Sequence, residues 1–209
     1  MPGTVLVVCT ANVCRSPLAA EVLQEGFAHA AFQDVTVLSA GTRASEGQPA
    51  CAVSIERLGA ASSEPLAAHR SRRLTSDLVS EADLVITMER EQRSIAVQAA
   101  PGSQTKVFAL REVEALLPHL RPQTAPVLDV AALAAALHAV RGMEPLLPDL
   151  ARRRRWWSRA VEPIDPMTLL DGHGMAREQH VAAVDAVLDA ARTTSARLAA
   201  AFGPTSAGR

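Results

Sequence analysis

Short apolar runs alternate with amphipathic stretches along the first half of the chain. Val5 to Val8 is a continuous apolar run rich in β-branched residues, which is typical of a buried parallel strand. With three similar runs, the pattern predicts strands at residues 5–8, 35–38, 84–87 and 107–110. Apolar residues at helical spacing predict helices after Ser16 and Pro17, at residues 49–59 and 89–97, and over a long final stretch at 175–202.

Strands that alternate with helices indicate right-handed crossovers. The predicted fold is therefore α/β, with three layers in which a four-stranded parallel sheet is flanked by helices. Residues 111–161 break the rhythm, because they hold several prolines, two apolar helical stretches and the run Arg152 to Arg155 followed by Trp156 and Trp157. We expect one domain over residues 1–209, interrupted by a mainly helical insertion at 111–161.

Composition narrows the class of protein. Of the 209 residues, 48% are hydrophobic and 21% are charged, which is enough apolar surface for a packed core. A net charge of −1 gives no basic field that would attract nucleic acid. The first residues lack the basic start of a signal peptide, and no apolar run is long enough to span a membrane. Three cysteines do not form a disulfide framework, so we expect a cytoplasmic protein with free thiols. Its oligomeric state stays open.

The segment from Cys9 to Ser16 carries the candidate chemistry. It consists of a cysteine, five residues and an arginine, placed between a buried strand and the start of a helix. Unpaired N–H groups at a helix start bind oxyanions and favour a thiolate, so Cys9 is expected to be nucleophilic. The planar guanidinium of Arg15 can bind two phosphate oxygens. The predicted phosphate-binding residues are Thr10, Ala11, Asn12, Val13, Cys14, Arg15 and Ser16.

Several motifs resemble the low-molecular-weight protein tyrosine phosphatase family. Val5 to Pro17, VLVVCTANVCRSP, resembles the family's phosphate-binding loop. The likeness continues at Ser39 to Thr42, at His69 to Thr75, at Ala82 to Met88 and at Asp165-Pro166. It covers about residues 4–110 and 162–202. The resemblance implies a four-stranded parallel sheet, a phosphorylated protein or small phosphomonoester as substrate, and an oxyanion in the active site, without cofactor or metal.

The resemblance also implies roles for individual residues. Cys9 matches the nucleophile that forms a phosphocysteine, Arg15 matches the phosphate-binding arginine, and Asp165 matches the acid that protonates the leaving oxygen. Cys14 matches a loop cysteine that forms a reversible disulfide with the nucleophile. The residues that support the loop are Asn12, Ser16, Ser39 and His69. Asp149 and Asp171 are rival acids, but neither precedes a proline.

Substrate recognition departs from the family pattern. The chain has no Tyr, and aromatic residues make up only 3% of it. Arg43 to Glu46 and Met167-Thr168 stand where phosphotyrosine-specific members carry rings. Three interpretations of the run Arg152 to Trp157 stay open. One tryptophan lines the substrate pocket, or a tryptophan covers the core beside a solvated arginine face, or the segment is a basic-aromatic site for nucleic acid or a membrane. Val13 argues against the family's phosphoarginine-specific subgroup.

Two other functions stay open. A thiol-dependent arsenate reductase uses the same cradle but needs further redox cysteines, of which Cys51 is the only candidate. A non-catalytic module that binds phosphorylated ligands needs the cradle alone. Cys51 itself is expected in the core. The remaining histidines show no metal-ligand spacing and are expected at the surface or in the core, namely His29, His119, His138, His173 and His180.

Overall fold

Four parallel strands form the sheet that the apolar runs predict. The computed structural model describes residues 3–30, 32, 34–59, 64–120, 129–142 and 165–202. The strands lie in the order β2-β1-β3-β4. Their bounds are β1 Gly3–Cys9, β2 Val35–Gly41, β3 Leu84–Thr87 and β4 Val107–Ala109. β1 is central, and it pairs with β2 on one side and with β3 on the other. The predicted fold class is thereby confirmed.

Helices connect the strands and follow them. They are α1 Arg15–His29, α2 Ala52–Leu58, α3 Glu64–Ala68, α4 Ser76–Glu81, α5 Arg90–Ala99, α6 Leu110–Leu116, α7 Val130–Ala139 and α8 Arg177–Phe202, with 3₁₀ turns at Ser103–Thr105 and Leu117–His119. The sequence analysis did not predict α3 and α4, because five or six residues are too few to show a helical period. The fourth strand is one residue shorter than predicted. Its end is fixed by the Glu112 carboxylate, which accepts the Ala109 N–H at 3.1 Å.

The sheet buries both of its faces. Val5, Val7 and Ile86 point into a core that they share with α1, α6, α7 and α8, whereas Leu6, Val8 and Val85 point into a core on the other face, near α4 and α5. This alternation follows from the two-residue period of a strand. It explains why β1 is apolar at every position from Val5 to Val8, and it confirms the three-layer arrangement.

α1 and α8 lie unusually close together. A Cβ atom added at Gly26 would lie 2.9 Å from the Cα atom of Ser195, and the Ser195 hydroxyl donates to the carbonyl of Val22 at 3.1 Å. At one end of this pair, the ring of Phe32 meets those of Phe27 and Phe202 edge to face. The two helices therefore depend on a glycine at their crossing.

The described part of residues 111–161 is helical. It contains most of α6 and all of α7, and the side chains of Leu116, Leu133 and Leu137 are buried. That this segment is an insertion within a single domain stays a prediction. Trp156 and Trp157 lie outside the described residues. Among the described residues, no helix combines the length and apolarity that a membrane crossing needs.

Replacement of Gly26 by alanine tests the close crossing of α1 and α8. Alanine is the better helix former, by about 1 kcal/mol, but its methyl group would overlap the α8 backbone. We expect Gly26→Ala to lower the free energy of unfolding by about 1–3 kcal/mol in urea denaturation. The matched control is Glu25→Ala, on the exposed face of the same helix, which should change it by less than about 0.5 kcal/mol. A Gly26→Ala protein more stable than the wild type would contradict the crossing geometry.

Candidate active site

The loop between β1 and α1 lies where ligands bind in sheets of this kind. Cys9 ends β1 and Arg15 begins α1, so the loop follows the carboxyl end of the central strand, at the point where the chain order of the strands reverses. Gly41 at the end of β2 approaches the loop closely. A Cβ atom there would lie 2.6 Å from the carbonyl oxygen of Thr10 and 2.8 Å from the nitrogen of Asn12.

The Cys9 thiol is buried and surrounded by donors. Cys9 is only 2% exposed to solvent. The backbone N–H of Asn12 donates to Cys9 Sγ at 3.2 Å, and Ser16 Oγ lies 3.0 Å from the same sulfur. Donors aimed at sulfur stabilise a thiolate more than a thiol. The sequence predicts that α1 starts after Ser16 and Pro17, but both residues lie inside the helix, and Cys14 occupies the N-cap position. The hydroxyl of Ser16 serves the sulfur instead.

Asn12 holds the curve of the loop. Its φ of 55° lies in the left-handed region, and the residue is fully buried. The side-chain amide donates to Ser16 Oγ at 3.0 Å and to Ser39 Oγ at 2.9 Å. The side-chain carbonyl accepts the backbone N–H of Arg72 at 2.9 Å. The predicted supporting residues Asn12, Ser16 and Ser39 are thus brought together in one network.

His69 completes this network from outside the loop. Its Nε2 atom donates to the carbonyl oxygen of Asn12 at 2.8 Å. Burial lowers the pKa of His69, and the neighbouring charges of Arg72 and Arg70 lower it further, against the opposing effect of this hydrogen bond. The neutral ring is therefore favoured, with its proton on Nε2.

Arg15 is the most strongly connected side chain of the site. It is 2% exposed, and its guanidinium donates to the Glu89 carboxylate, to the carbonyl of Leu169 at 2.9 Å and to Asp171 Oδ2 at 2.5 Å. A weaker bond reaches Thr10 Oγ1 at 3.3 Å. Burial opposes the charge of Arg15, but the attraction of Cys9, Glu89 and Asp171 outweighs it and leaves the pKa raised. This guanidinium is a permanent cation beside the Cys9 sulfur.

The predicted acid, Asp165, does not meet Arg15. Its Oδ2 atom pairs with Arg90 Nε at 2.7 Å, and its Oδ1 atom accepts the N–H of Met167 at 3.0 Å. The structure instead brings Asp171 to Arg15. The sequence favours Asp165 over Asp171 because no proline follows Asp171.

A signal that favours Asp171 lies in the residues around it. A Cβ atom at Gly172 would lie 2.8 Å from His180 Cα, so the turn after Asp171 lies directly on α8. Gly174 adopts a φ of 89° within the same turn. In the sequence, the glycines at 172 and 174, just before a long predicted helix, are the signal that indicates a tight turn at Asp171.

A second cluster of reactive side chains lies beside the loop. His180 Nε2 is 3.2 Å from Cys14 Sγ and 3.4 Å from Cys51 Sγ, and Ser54 Oγ is 3.1 Å from Cys14 Sγ. A hydrogen bond with Cys51, together with burial, raises the pKa of Cys14, and the same bond lowers the pKa of Cys51. All three cysteines are free.

This cluster changes two expectations from the sequence. Cys51 is buried as expected, but it meets His180 and Cys14 rather than apolar side chains alone, and His180 is more than a core or surface histidine. The Cys14 sulfur hydrogen-bonds within this cluster. Its disulfide with Cys9 stays a prediction.

Sequence comparison relates the site to known proteins. The sequence profile described as "Low molecular weight phosphotyrosine protein phosphatase" matches residues 4–121. The probable low molecular weight protein-tyrosine-phosphatase EpsP of Ralstonia nicotianae is 37% identical over 114 residues, which cover 54% of this chain and 74% of EpsP. The protein-arginine-phosphatase of Geobacillus stearothermophilus is 35% identical over 112 residues, which cover 54% of this chain and 72% of the relative.

Solved structures extend the likeness of the fold over almost the whole chain. The tyrosine phosphatase Wzb from Escherichia coli K30, in complex with phosphate, superposes with a TM-score of 0.58 at 21% identity, covering 97% of this chain and all of Wzb. The YwlE arginine phosphatase from Geobacillus stearothermophilus superposes with a TM-score of 0.57 at 22% identity, covering 94% of this chain and 93% of its own. At these identities, the superpositions support the fold alone.

Two substitutions at Asn12 separate its backbone and side-chain roles. Asn12→Gly keeps the left-handed backbone free of strain but loses the side-chain hydrogen bonds, which we expect to cost about 2–3 kcal/mol of unfolding free energy. Asn12→Ala loses the same bonds and adds strain of about 1 kcal/mol. Denaturant unfolding of the two variants measures both effects. Glycine also gains more entropy in the unfolded chain than alanine, by about 0.4–1 kcal/mol. Asn12→Ala that is more stable than Asn12→Gly by this full amount would therefore contradict the strain, and wild-type stability of Asn12→Gly would contradict the role of the bonds.

Proposed function

The chain belongs to the low molecular weight phosphotyrosine protein phosphatase family, and from that membership we propose a catalytic centre formed by Cys9, Arg15 and Asp171. The protein is a cysteine-dependent phosphatase that hydrolyses a phosphomonoester through a phosphocysteine. The observation that carries the assignment of the nucleophile is the loop N–H that points at Cys9 Sγ, next to the buried guanidinium of Arg15.

Binding of a phosphoryl group would use the loop as a cradle. Backbone N–H groups at the start of α1 face the end of β1, where they supply partial positive charge. The guanidinium of Arg15 has donors engaged with Glu89 and Asp171, and a phosphate dianion offers oxygen acceptors of the same type. We infer that the substrate phosphate takes over guanidinium donors from Asp171, which leaves this carboxyl group free beside the leaving oxygen.

The first chemical step transfers the phosphoryl group to sulfur. The Cys9 thiolate attacks phosphorus in line, the S–P bond forms, and the bond from phosphorus to the leaving oxygen breaks. Asp171 donates its proton to that oxygen, so that a neutral alcohol or phenol leaves. Negative charge on a neighbouring phosphate favours the protonated form of a carboxyl group, which is the form this step needs.

The second step releases inorganic phosphate. Water attacks phosphorus, the Asp171 carboxylate accepts a proton from it, and the S–P bond breaks to return the Cys9 thiolate. The N–H of Asn12 and the hydroxyl of Ser16 stabilise the departing sulfur, at 3.2 and 3.0 Å. Asp171 thus serves as acid and then as base, and its 38% side-chain exposure gives it access to water.

We propose phosphotyrosine in a protein as the substrate class. Support comes from relatives named as tyrosine phosphatases, such as EpsP, while a similar relative is named as an arginine phosphatase. Val13 favours the first group, because the family resemblance places it where phosphoarginine-specific members carry a polar Thr. Leu170, next to Asp171, is 45% exposed and offers an apolar surface at the position where the substrate ring is expected.

Replacement of the nucleophile tests the reaction type. Cys9→Ser should abolish hydrolysis of para-nitrophenyl phosphate while it retains phosphate binding, measured as a rise in thermal unfolding temperature on addition of phosphate. The matched control is Cys51→Ser, which removes a buried thiol outside the cradle and should keep turnover.

Two other outcomes would identify a different function. Phosphate binding without hydrolysis by the wild type would indicate a binding module. Thiol-dependent reduction of arsenate without hydrolysis of phosphomonoesters would indicate a reductase.

A pair of aspartate variants decides which carboxyl group is the acid. Asp171→Asn should lower kcat for phosphotyrosine by about 100-fold, at the lower end of what general acids contribute. It should have a much smaller effect on an aryl phosphate whose phenol leaves without protonation. Asp165→Asn, whose carboxylate pairs with Arg90, should keep most of the activity on both substrates.

Two further measurements distinguish an acid from a residue that only positions Arg15. Inhibition by inorganic phosphate reports whether Arg15 still binds anions when Asp171 is neutral. A loss in Asp171→Asn that is equal for all leaving groups would indicate a positioning role. A large, leaving-group-dependent loss in Asp165→Asn would restore the assignment made from the Asp-Pro dipeptide.

A further inference from the structure

The cluster of Cys14, Cys51 and His180 joins three helices. Cys14 is the N-cap residue of α1, Cys51 is the N-cap residue of α2, and His180 lies in the first turn of α8. Their two sulfur atoms and one ring nitrogen all lie within 4.8 Å of one another. Both cysteines are buried, and His180 is partly buried. Among the described residues, this is the one cluster of cysteine, histidine or acidic side chains close enough to hold a metal ion.

The cluster has the donor set of a zinc site. Zn²⁺ is bound by thiolate sulfur at about 2.3 Å and by imidazole nitrogen at about 2.0 Å, in a tetrahedron. Those bond lengths place sulfur and nitrogen ligands about 3.5 Å apart. The observed separations from His180 Nε2 are 3.2 Å to Cys14 Sγ and 3.4 Å to Cys51 Sγ, so both nitrogen–sulfur separations are close to that of a tetrahedral edge.

We propose that Cys14, Cys51 and His180 form a Zn²⁺-binding site next to the catalytic loop. Three protein ligands leave the fourth position of the ion to solvent. Both sulfur atoms bind as thiolates, and the thiol proton that the pair carries is released to solvent on binding. No electron transfer is involved.

The surroundings hold the three ligands in place. The backbone N–H of Cys51 donates to the carbonyl of Val13 at 2.8 Å, which fixes α2 to the loop. Ser54 Oγ donates to the carbonyl of Cys14 at 3.3 Å and lies beside its sulfur. The ring of His173 meets that of His180 edge to face, with centroids 5.7 Å apart. Such outer contacts orient metal ligands in known sites.

Zn²⁺ at this position would couple the loop to the end of the chain. It would tie α8, which carries the Asp171 turn against its surface, to the residue that precedes Arg15. It would also occupy the Cys14 thiol, so that this sulfur is withdrawn from disulfide exchange. The ion therefore acts on the fold and the redox chemistry of the loop, and it takes no part in phosphoryl transfer.

Cobalt titration of the reduced, metal-free full chain tests the site. Co²⁺ should bind one equivalent and give the visible bands of a tetrahedral ion and the near-ultraviolet bands of thiolate ligation, and Zn²⁺ should displace it. Cys51→Ser and His180→Phe should each weaken Zn²⁺ binding by at least about 100-fold, the upper end of what loss of an outer partner costs. Cys9→Ser is the matched control, because it removes the other buried cysteine of the loop, and its cobalt spectrum should be unchanged.

Several results would overturn the proposal. One is the absence of thiolate bands when Co²⁺ is added to the reduced wild type. This result overturns the proposal even if peroxide treatment of the same protein produces a Cys14–Cys51 disulfide. Another is a cobalt spectrum that survives in Cys51→Ser and disappears in Cys9→Ser, which would place the ion in the phosphate cradle. Circular dichroism establishes that each variant is folded, and His180→Phe decides alone if Cys51→Ser does not fold. Phosphatase activity is not a readout, so the metal site and the proposed function fail separately.

Discussion

Arg15 is only 2% exposed, and a buried guanidinium requires anionic or carbonyl partners. The arrangement of the chain around Arg15 follows from that requirement. The partners come from distant parts of the chain. Glu89 follows β3, and the Leu169 carbonyl and the Asp171 carboxylate precede α8. The charge at the start of α1 therefore draws three segments to the carboxyl edge of the sheet. A neutral residue at position 15 would leave two carboxylates without their cation.

The Asn12 side chain supplies hydrogen bonds that stabilise the sharp turn of the same loop. A chain that curls its N–H groups inward must turn sharply, and it loses hydrogen bonds in doing so. The Asn12 side chain replaces them, because it binds Ser16, Ser39 and the Arg72 backbone at once. Gly41 leaves the space in which this turn fits against β2. Buried contacts from Ser16, Ser39 and the Arg72 backbone thus hold the loop in its curved shape.

Local pattern predicted the sheet and the loop well, because both depend on neighbours in sequence. The apolar run before Cys9 and the spacing to Arg15 place the two side chains at one strand end without reference to the rest of the chain. The carboxylate that pairs with Arg15 was harder to predict. Asp165 and Asp171 are close together in sequence, so their positions in the sequence alone do not distinguish them. The packing of Gly172 on α8 places Asp171 beside Arg15. The cluster of Cys14, Cys51 and His180 could not be predicted from local spacing. His180 lies 166 positions after Cys14 and 129 positions after Cys51.

The long separation between Arg15 and Asp171 has a consequence for the growing polypeptide. The two residues are 156 positions apart, so a ribosome that adds about 5–20 residues per second exposes the arginine roughly 8–30 seconds before its carboxylate partner. During that interval the apolar side of α1 lacks α8 as its cover, and the loop lacks the group that completes its charge balance. A nascent chain therefore lacks both the Arg15–Asp171 pair and the packing of α8 on α1 until α8 has left the ribosome.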